Sequence, residues 1–449
     1  MLSPCKYYRN SLVFALQNAF VFTKALLKGI AMINFGYACL ALGIEDAQLK
    51  SCTMRTATPQ RLRELITHNL EVLMQFVQYN QANNIRLFRI SSDLIPFGSS
   101  PVNTLPWQEE FAGAFEKIGN AISNAGMRVS MHPGQYTVIN SPDEDVVKRA
   151  IADLEYHEQV LSLLNTDSTS KIILHVGGAY GDKSAAMDRF CRNWAQLGSG
   201  IQNRIVLEND ERIYNIDDVL KIAGRLGIPA VFDTLHHSIN SPQESRSETD
   251  WILQCAKTWT TLDGRQKIHY SQQSPAGKPG AHSKSISTQQ FLDFYQTVRH
   301  LNLDMMLEVK DKNLSAIKCS LLISDAHSIL PLEQEWAKYK YSVLELSPNA
   351  YLAIRELLKD KHAYPVKQFY SILEQALDQP QEINNAVNAL LHVWGYFKNV
   401  AQSDEKKRFF SALEKYKNNT AKLTTVKNQL YKLAQKYDEQ YLLKSYYFL

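Results

Sequence analysis

Seven residues of metal-ligating type recur at or just past the ends of short apolar runs in this 449-residue chain, and an eighth follows in a loop. His132 closes the run MRVSMH (127–132), and His175 lies near the end of KIILHV (171–176). Glu208 is in RIVLEN (204–209), and Asp233 ends PAVFD (229–233) with His236 three residues on. His269 belongs to RQKIHY (265–270), Glu308 to LDMMLEV (303–309), and His282 follows the seventh run in a loop. A lone histidine in a core strand is more often a satisfied packing residue than a ligand. Here five of twelve histidines share their position with three carboxylates. Three carboxylates gathered without cations would raise one another's pKa and suffer heavy desolvation. Divalent cations resolve that, and imidazole with carboxylate suits Mn, Zn or Fe(II), with no thiolate to dictate zinc. Spacing does not give the number of ions, but eight candidates exceed what one ion needs.

Three further features belong to the same argument. Period-two alternation puts Lys267 on the face of its run that carries His269. An ammonium beside dications is repelled, which leaves a salt-bridged structural lysine, a neutral base or a carbamylated anionic ligand. Pro133-Gly134 after His132 is a tight-turn signal, with the glycine expected at positive φ. Such a turn presents Gln135 and Tyr136 outward, as an ordinary exposed turn or as a probe that stacks on bases. Tyr37 ends the first run, INFGYA (33–38), and is either a wall of the same pocket or a core tyrosine with a satisfied hydroxyl.

The elements that must position these side chains can be read from the pattern between them. With IRLFRI (85–90) there are eight apolar runs, separated by helix-like segments at 59–82, 107–125, 143–164, 215–227 and 288–301. Helix starts are signalled by Thr58-Pro59, by Ser141-Pro142 with two acids, and by Thr288. Alternating strands and helices imply parallel strands with right-handed crossovers. Eight such units predict an α/β fold, a (β/α)8 TIM-type barrel over 32–320, whose catalytic groups gather at the C-terminal ends of the strands. An open doubly wound sheet competes but lacks a G-x-G-x-x-G after the first run. Residues 333–449 read as an α-helical C-terminal domain, and 404–449 carries ten Lys/Arg against five acids. That bias is either a solvated helix surface or a nucleic-acid site.

Composition bounds the rest. With 45% hydrophobic and 21% charged residues the chain can bury a large core, and a net charge of +4 excludes a generally basic binder. Six scattered cysteines form no C-x-x-C pair, which suits a reducing compartment. The apolar stretch 11–22 is too short for a membrane span and is interrupted by Gln17 and Asn18. Residues 1–31 are expected to be a non-essential extension upstream of Met32, with weak targeting or membrane association as the alternative.

The motifs GYACL (36–40), RISSDLIPF (89–97), SMHPGQY (130–136), LHVGG (174–178), LEND (207–210), DTLHH (233–237), KIHYS (267–271) and LEVKDK (307–312) together resemble the UV damage endonuclease family. The resemblance spans the whole barrel. It implies an endonuclease IV-like barrel that incises double-stranded DNA immediately 5′ to UV photoproducts, with a cluster of divalent metals, commonly manganese, two or three per chain. On that resemblance His132, His175, Glu208, Asp233, His236, His269, His282 and Glu308 are metal ligands. Lys267 is the family's carboxylated lysine and is grouped with Glu208 and His269 as catalytic. Gln135 and Tyr136 are the wedge that enters the duplex, and Tyr37 is a wall of the pocket for the flipped dinucleotide. A monomeric, bacterial-type cytoplasmic enzyme without a membrane partner is expected. Two positions depart from the family pattern: Ser100 stands where a histidine is frequent, and Lys284 where an acid is common. Rival readings are an abasic-site endonuclease, a metal-dependent sugar isomerase on the same barrel, and a non-catalytic DNA-binding protein.

Overall fold

The computed structural model describes residues 33–325 and 328–449; the expected extension over 1–31 lies outside the described residues. Eight strands form one closed parallel barrel in sequence order, and β1 closes on β8 with Gly36 opposite Met306. They are β1 (Asn34–Ala38), β2 (Leu87–Ile90), β3 (Arg128–Met131), β4 (Ile172–His175), β5 (Ile205–Glu208), β6 (Ala230–Asp233), β7 (Lys267–Tyr270) and β8 (Asp304–Leu307). Each lies inside one of the eight apolar runs.

The helices around the barrel start where local chemistry supplies a cap. In α1 (Pro59–Ala82) the Thr58 side chain accepts from Arg61 N, and proline occupies the first turn. This helix buries Leu62, Ile66, Leu70, Leu73, Phe76 and Val77 along one face. Each such side chain is worth about 1.5–3 kcal/mol relative to exposure, so the stripe fixes how the helix docks. Then come α2 (Ala112–Asn124), α3 (Glu144–Leu163) and α4 (Lys183–Trp194). The cap of α3 is Asp143, not Ser141, because its carboxylate accepts from Asp145 N and Val146 N. A reciprocal capping box between Asn215 and Asp218 opens α5 (Ile216–Leu226). The barrel region closes with α6 (Thr234–Ile239), α7 (Glu248–Ala256), α8 (Thr288–Val298) and α9 (Asn313–Leu322).

Inside the barrel, alternate residues stack in layers. At the N-terminal end Arg128 reaches Asp304 at 2.8 Å and the Arg265 carbonyl at 2.6 Å, and Lys171 reaches Asp263 at 2.6 Å. These ion pairs and the Trp259 ring, 5.5 Å from the Arg128 guanidinium, form a floor. Above it lie Ala38, Leu87 and Met306, and across from them Ile173, Val206 and Val231. The polar groups sit above these, at the C-terminal ends.

The remainder is helical, from α10 (Leu330–Leu346) through α11 (Pro348–Leu357), α12 (Val366–Leu377), α13 (Ile383–Trp394) and α14 (Ser403–Lys417) to α15 (Leu423–Lys436). The apolar core does not break at 333. Leu332, Tyr339, Val343, Phe369 and Leu373 belong to the barrel's core cluster. A second core begins with Tyr341 and Leu344, on the same helix, and continues through Leu390, Phe409 and Leu430. One residue of this region caps a barrel helix. Ser287, before α8, makes no side-chain cap bond. Instead Glu374 of α12 accepts from Thr288 N at 2.8 Å and from Thr288 Oγ1 at 2.6 Å. Glu374 also pairs with Lys318 of α9, whose ammonium donates to the Ile286 carbonyl as well. The described cysteines are all free. No described helix is long and apolar enough to cross a membrane.

Candidate metal centre

Seven of the eight ligand-type residues converge on one end of the barrel. His175, Glu208 and Asp233 are the last residues of their strands, His132 and Glu308 directly follow theirs, and His236 stands on the short helix after β6. Three sets could each hold an ion: His132, His175 and Glu208; Glu208, Asp233 and His236; and Glu208, His269 and Glu308. Within each set the ligand atoms lie within 4.8 Å of one another. Glu208 is common to all three. Its carboxylate lies 2.6 Å from His269 Nδ1, 3.1 Å from His132 Nε2 and 3.5 Å from His175 Nε2.

The surroundings fix how these side chains point. His132 Nδ1 donates to the Pro133 carbonyl at 2.9 Å, which turns Nε2 toward Glu208. His236 Nδ1 donates to the Asn209 carbonyl at 2.9 Å, leaving Nε2 open. Asp233 Oδ1 caps its own helix by accepting from His236 N at 2.8 Å, and Asn209 braces the Asp233 backbone. Ser92 Oγ lies 2.8 Å from the His132 carbonyl and 2.8 Å from Nε2 of the buried His157. Outer partners of this kind orient metal-ligating imidazoles.

The electrostatics are those of a site short of positive charge. Burial pushes the Glu208 carboxyl up, but its imidazole neighbours together hold it well below the usual carboxylate range. Burial moves Asp233 up to about 6, with His236 pulling it down and the other two acids pushing it further. His236 rises to about 9: burial opposes its charge, but Asp233 and Glu208 outweigh burial. Glu308 is also buried, yet Arg89 beside it, with Nη1 to Oε1 at 2.5 Å, holds it low. His175 Nδ1, Asp233 Oδ2 and His269 Nε2 are buried without a hydrogen-bond partner. Stranded donors and acceptors of this kind are costly. Oxygen and imidazole atoms so placed fit divalent cations, and the donor set is the mixed one that suits first-row metals.

Lys267 lies on the inner face of β7, fully buried beneath His269, and its Nζ has no hydrogen-bond partner. That sets aside the salt-bridged lysine, since Asp304 opposite is engaged by Arg128. Burial, reinforced by Arg128, Arg89 and Lys171, drives its pKa well below the usual lysine value, so a neutral amine or its carbamate remains.

Other expected residues fall elsewhere. Tyr37 is fully buried, packs edge-on against Phe88, and donates its hydroxyl to Asn80 of α1 at 2.7 Å. It faces the helix layer, not the mouth, because the inward positions of β1 are those of Gly36 and Ala38. His282 shares a cavity of about 390 Å³ with Arg89 and Glu308 but stands outside the three ligand sets. Ser100 Oγ closes its own turn by accepting from Val102 N, and Lys284 is exposed. The turn after His132 is closed by Thr137 N to the Gly134 carbonyl at 3.0 Å. Gly134 is therefore its first residue, and it is absent from the glycines at positive φ, contrary to expectation. Gln135 and Tyr136 sit at the tip, with Tyr136 83% exposed. They line a cavity of about 1130 Å³ that reaches His175 and His236. Arg149 and Arg212 line it too, as does Glu211, whose carboxylate lies 3.8 Å from His236 Nε2. The sequence pattern does not single these out; the position of Glu211 directly after LEND is the one signal that could have found it.

Two family models meet within α10. A family model described as UV-endonuclease UvdE matches residues 33–337, and one described as a protein of unknown function (DUF1722) matches residues 340–449. The chain is 39% identical over 355 residues to the UV DNA damage endonuclease of Clostridium perfringens (strain 13 / Type A), covering 78% of this chain and 85% of that protein. It is 31% identical to the UV DNA damage endonuclease of Bacillus mycoides (strain KBAB4), covering 66% of this chain and 96% of that one. Among solved structures, the crystal structure of SacUVDE matches at 35% identity with a TM-score of 0.61, over 64% of this chain and 96% of that one.

Proposed function

The chain belongs to the UV-endonuclease UvdE family, and from that premise we propose that it nicks double-stranded DNA immediately 5′ to UV photoproducts. The products are a 3′-hydroxyl and a 5′-phosphate, and the lesions are cyclobutane pyrimidine dimers and 6-4 photoproducts. One observation supports this above the others: three ligand sets share Glu208, and two of their histidines, His175 and His236, line the cavity whose rim carries the exposed Gln135–Tyr136 turn. A pocket for a small sugar has no use for a flat ring and an amide raised at its edge.

His132, His175, Glu208, Asp233, His236, His269 and Glu308 would hold two or three divalent ions, with manganese the expected metal and His282, beside Glu308, the remaining expected ligand. Bound there, such ions supply Lewis acidity and offset the charge of a phosphodiester. The chain's own side chains do the rest. Glu208 provides the anion between the histidines. Lys267, as the carbamate formed when its neutral amine adds carbon dioxide and loses a proton, would add a fourth anion to the three carboxylates, beneath His269. Arg89 keeps Glu308 ionised. Arg149 and Arg212 on the rim suit backbone phosphates and make binding depend on salt. Gln135 and Tyr136 fill the gap left when the lesion leaves the helix, and a poorly stacked lesion costs less to extrude than normal bases.

The test offers three duplexes, with one cyclobutane dimer, with one abasic site, and undamaged, each with Mn²⁺ or with EDTA. Metal-dependent nicking 5′ to the dimer is expected. Cutting of the abasic duplex alone would favour an abasic-site endonuclease, and binding without cutting would refute an enzymatic role.

A further inference from the structure

A second aromatic ring stands at the mouth, on the loop after β4. Tyr180 is 47% exposed and lines the same cavity as Tyr136. Its backbone has φ 51°, in the left-handed region that bulky residues rarely enter. The loop is held there from beneath. The Gly178 carbonyl accepts from Asn140 Nδ2 at 2.8 Å and from the buried Tyr214 hydroxyl at 3.0 Å. Gly177 sits at φ 111°, where an added Cβ would lie 2.4 Å from Asn140 Oδ1. A Cβ on Gly178 would lie 2.9 Å from the Tyr180 ring. The ring therefore lies down over bare backbone.

Arg189 of α4 braces the arrangement from the side. Its guanidinium is 5.4 Å from the Tyr180 ring centroid, and its Nε donates to the Asn140 carbonyl at 3.0 Å. Asn140 lies four residues beyond Tyr136 on the same loop. One residue thus ties the stem of the Gln135–Tyr136 turn to the loop that carries Tyr180. A ring recruited only to pack would be covered by this much bracing. This one keeps about half its surface open to the cavity.

We propose that Tyr180 is a stacking platform for an unstacked nucleobase, working with the Gln135–Tyr136 turn as one rigid unit. The proposal rests on the reading of the mouth as a site that opens a damaged duplex, and it adds the surface that receives a base once the turn has displaced it. A pre-set ring suits that task, because stacking tolerates any base and little side-chain freedom is left to lose.

The experiment uses the full chain with Mn²⁺ and a duplex whose linkage 5′ to a single cyclobutane dimer is a non-cleavable phosphonate. Equilibrium binding is compared with that of the undamaged duplex. Tyr180→Ala is expected to weaken dimer binding on the order of 10-fold and undamaged binding by less than about 2-fold. Tyr180→Phe and Tyr180→Trp should bind like the parent, and Tyr180→Leu, apolar but not flat, should fall with alanine. Replacing the two bases opposite the dimer by abasic spacers identifies the base. If the alanine defect disappears, the platform holds the orphaned partner base; if it persists, the platform holds the lesion. Parental dimer affinity in Tyr180→Ala would overturn the proposal, as would a Phe variant as weak as the alanine one. A parent chain that does not distinguish the two duplexes would overturn the endonuclease reading and the platform with it. Should the alanine variant fail to fold, the Phe–Leu contrast decides the matter.

Discussion

Replacing Glu374 by alanine should destabilise the barrel although Glu374 lies in the helical region. The substitution leaves the Lys318 ammonium, whose side chain is 5% exposed, without its counter-ion and with the Ile286 carbonyl as its remaining hydrogen-bond acceptor. It also removes the acceptor that Thr288 N and Oγ1 use at the start of α8. Breaking a buried pair from one side costs about 3–5 kcal/mol. Glu374 is itself 32% exposed, so solvent screening lowers that figure to roughly 2–3 kcal/mol. Loss of the cap adds about 1 kcal/mol, giving an expected total of roughly 3–4 kcal/mol. The assay is urea unfolding followed by both fluorescence and circular dichroism, since only coincident transitions license a free energy in a chain with two cores. A double-mutant cycle separates the pair from the cap. Lys318→Met removes the ammonium, so Lys318→Met with Glu374→Ala should be more stable than Glu374→Ala alone. Additive single effects, with a coupling within about 0.5 kcal/mol of zero, would refute the reasoning.

Glu208→Gln should reduce incision to background and lower the divalent metal retained after dialysis, measured by mass spectrometry, while the circular dichroism spectrum stays parental. Gln135→Ala with Tyr136→Ala should leave stability within about 0.5 kcal/mol, because the tip is exposed, yet remove preference for the dimer duplex; unchanged discrimination would exclude the wedge. His236 has a definite pH signature. Its folded pKa of about 9 exceeds the ordinary 6.5, so in the metal-free chain its contribution is fully present below pH 6.5 and fades as pH rises through 9. A cation that displaces the proton must therefore release it at pH 7.5. Calorimetry in buffers of different ionisation enthalpy should show that release absent from His236→Gln, and an equal release in the variant would count against the assignment.

Much of the barrel and its mouth was legible because strand ends carry polar residues that interrupt apolar runs, and His132, His175, Glu208 and Asp233 could be placed by that alone. Alternation on β7 placed Lys267 and His269 on one face, as observed. The same rule left Tyr37 undecided, since INFGYA holds no charged residue to mark the inward side; pairing with β8 settles it. His282 lies in the long segment between β7 and α8, where no periodicity constrains position. The turn after His132 is legible in Pro133-Gly134, but the role of its glycine is not, since Pro-Gly does not reveal which residue begins the turn. The reach of Glu374 to the start of α8 and the ion-paired floor under Lys267 are tertiary facts with no local trace.

That floor has a kinetic corollary. Among the described residues, Arg128, Lys171, Asp263 and Asp304 close the barrel from below, so the doorway to the Lys267 amine is the mouth, where the proposed function seats a duplex. While DNA is docked, that doorway is corked. On that reading, cations, carbon dioxide and stray protons are traded with the surrounding solution in the interval between one substrate and the next.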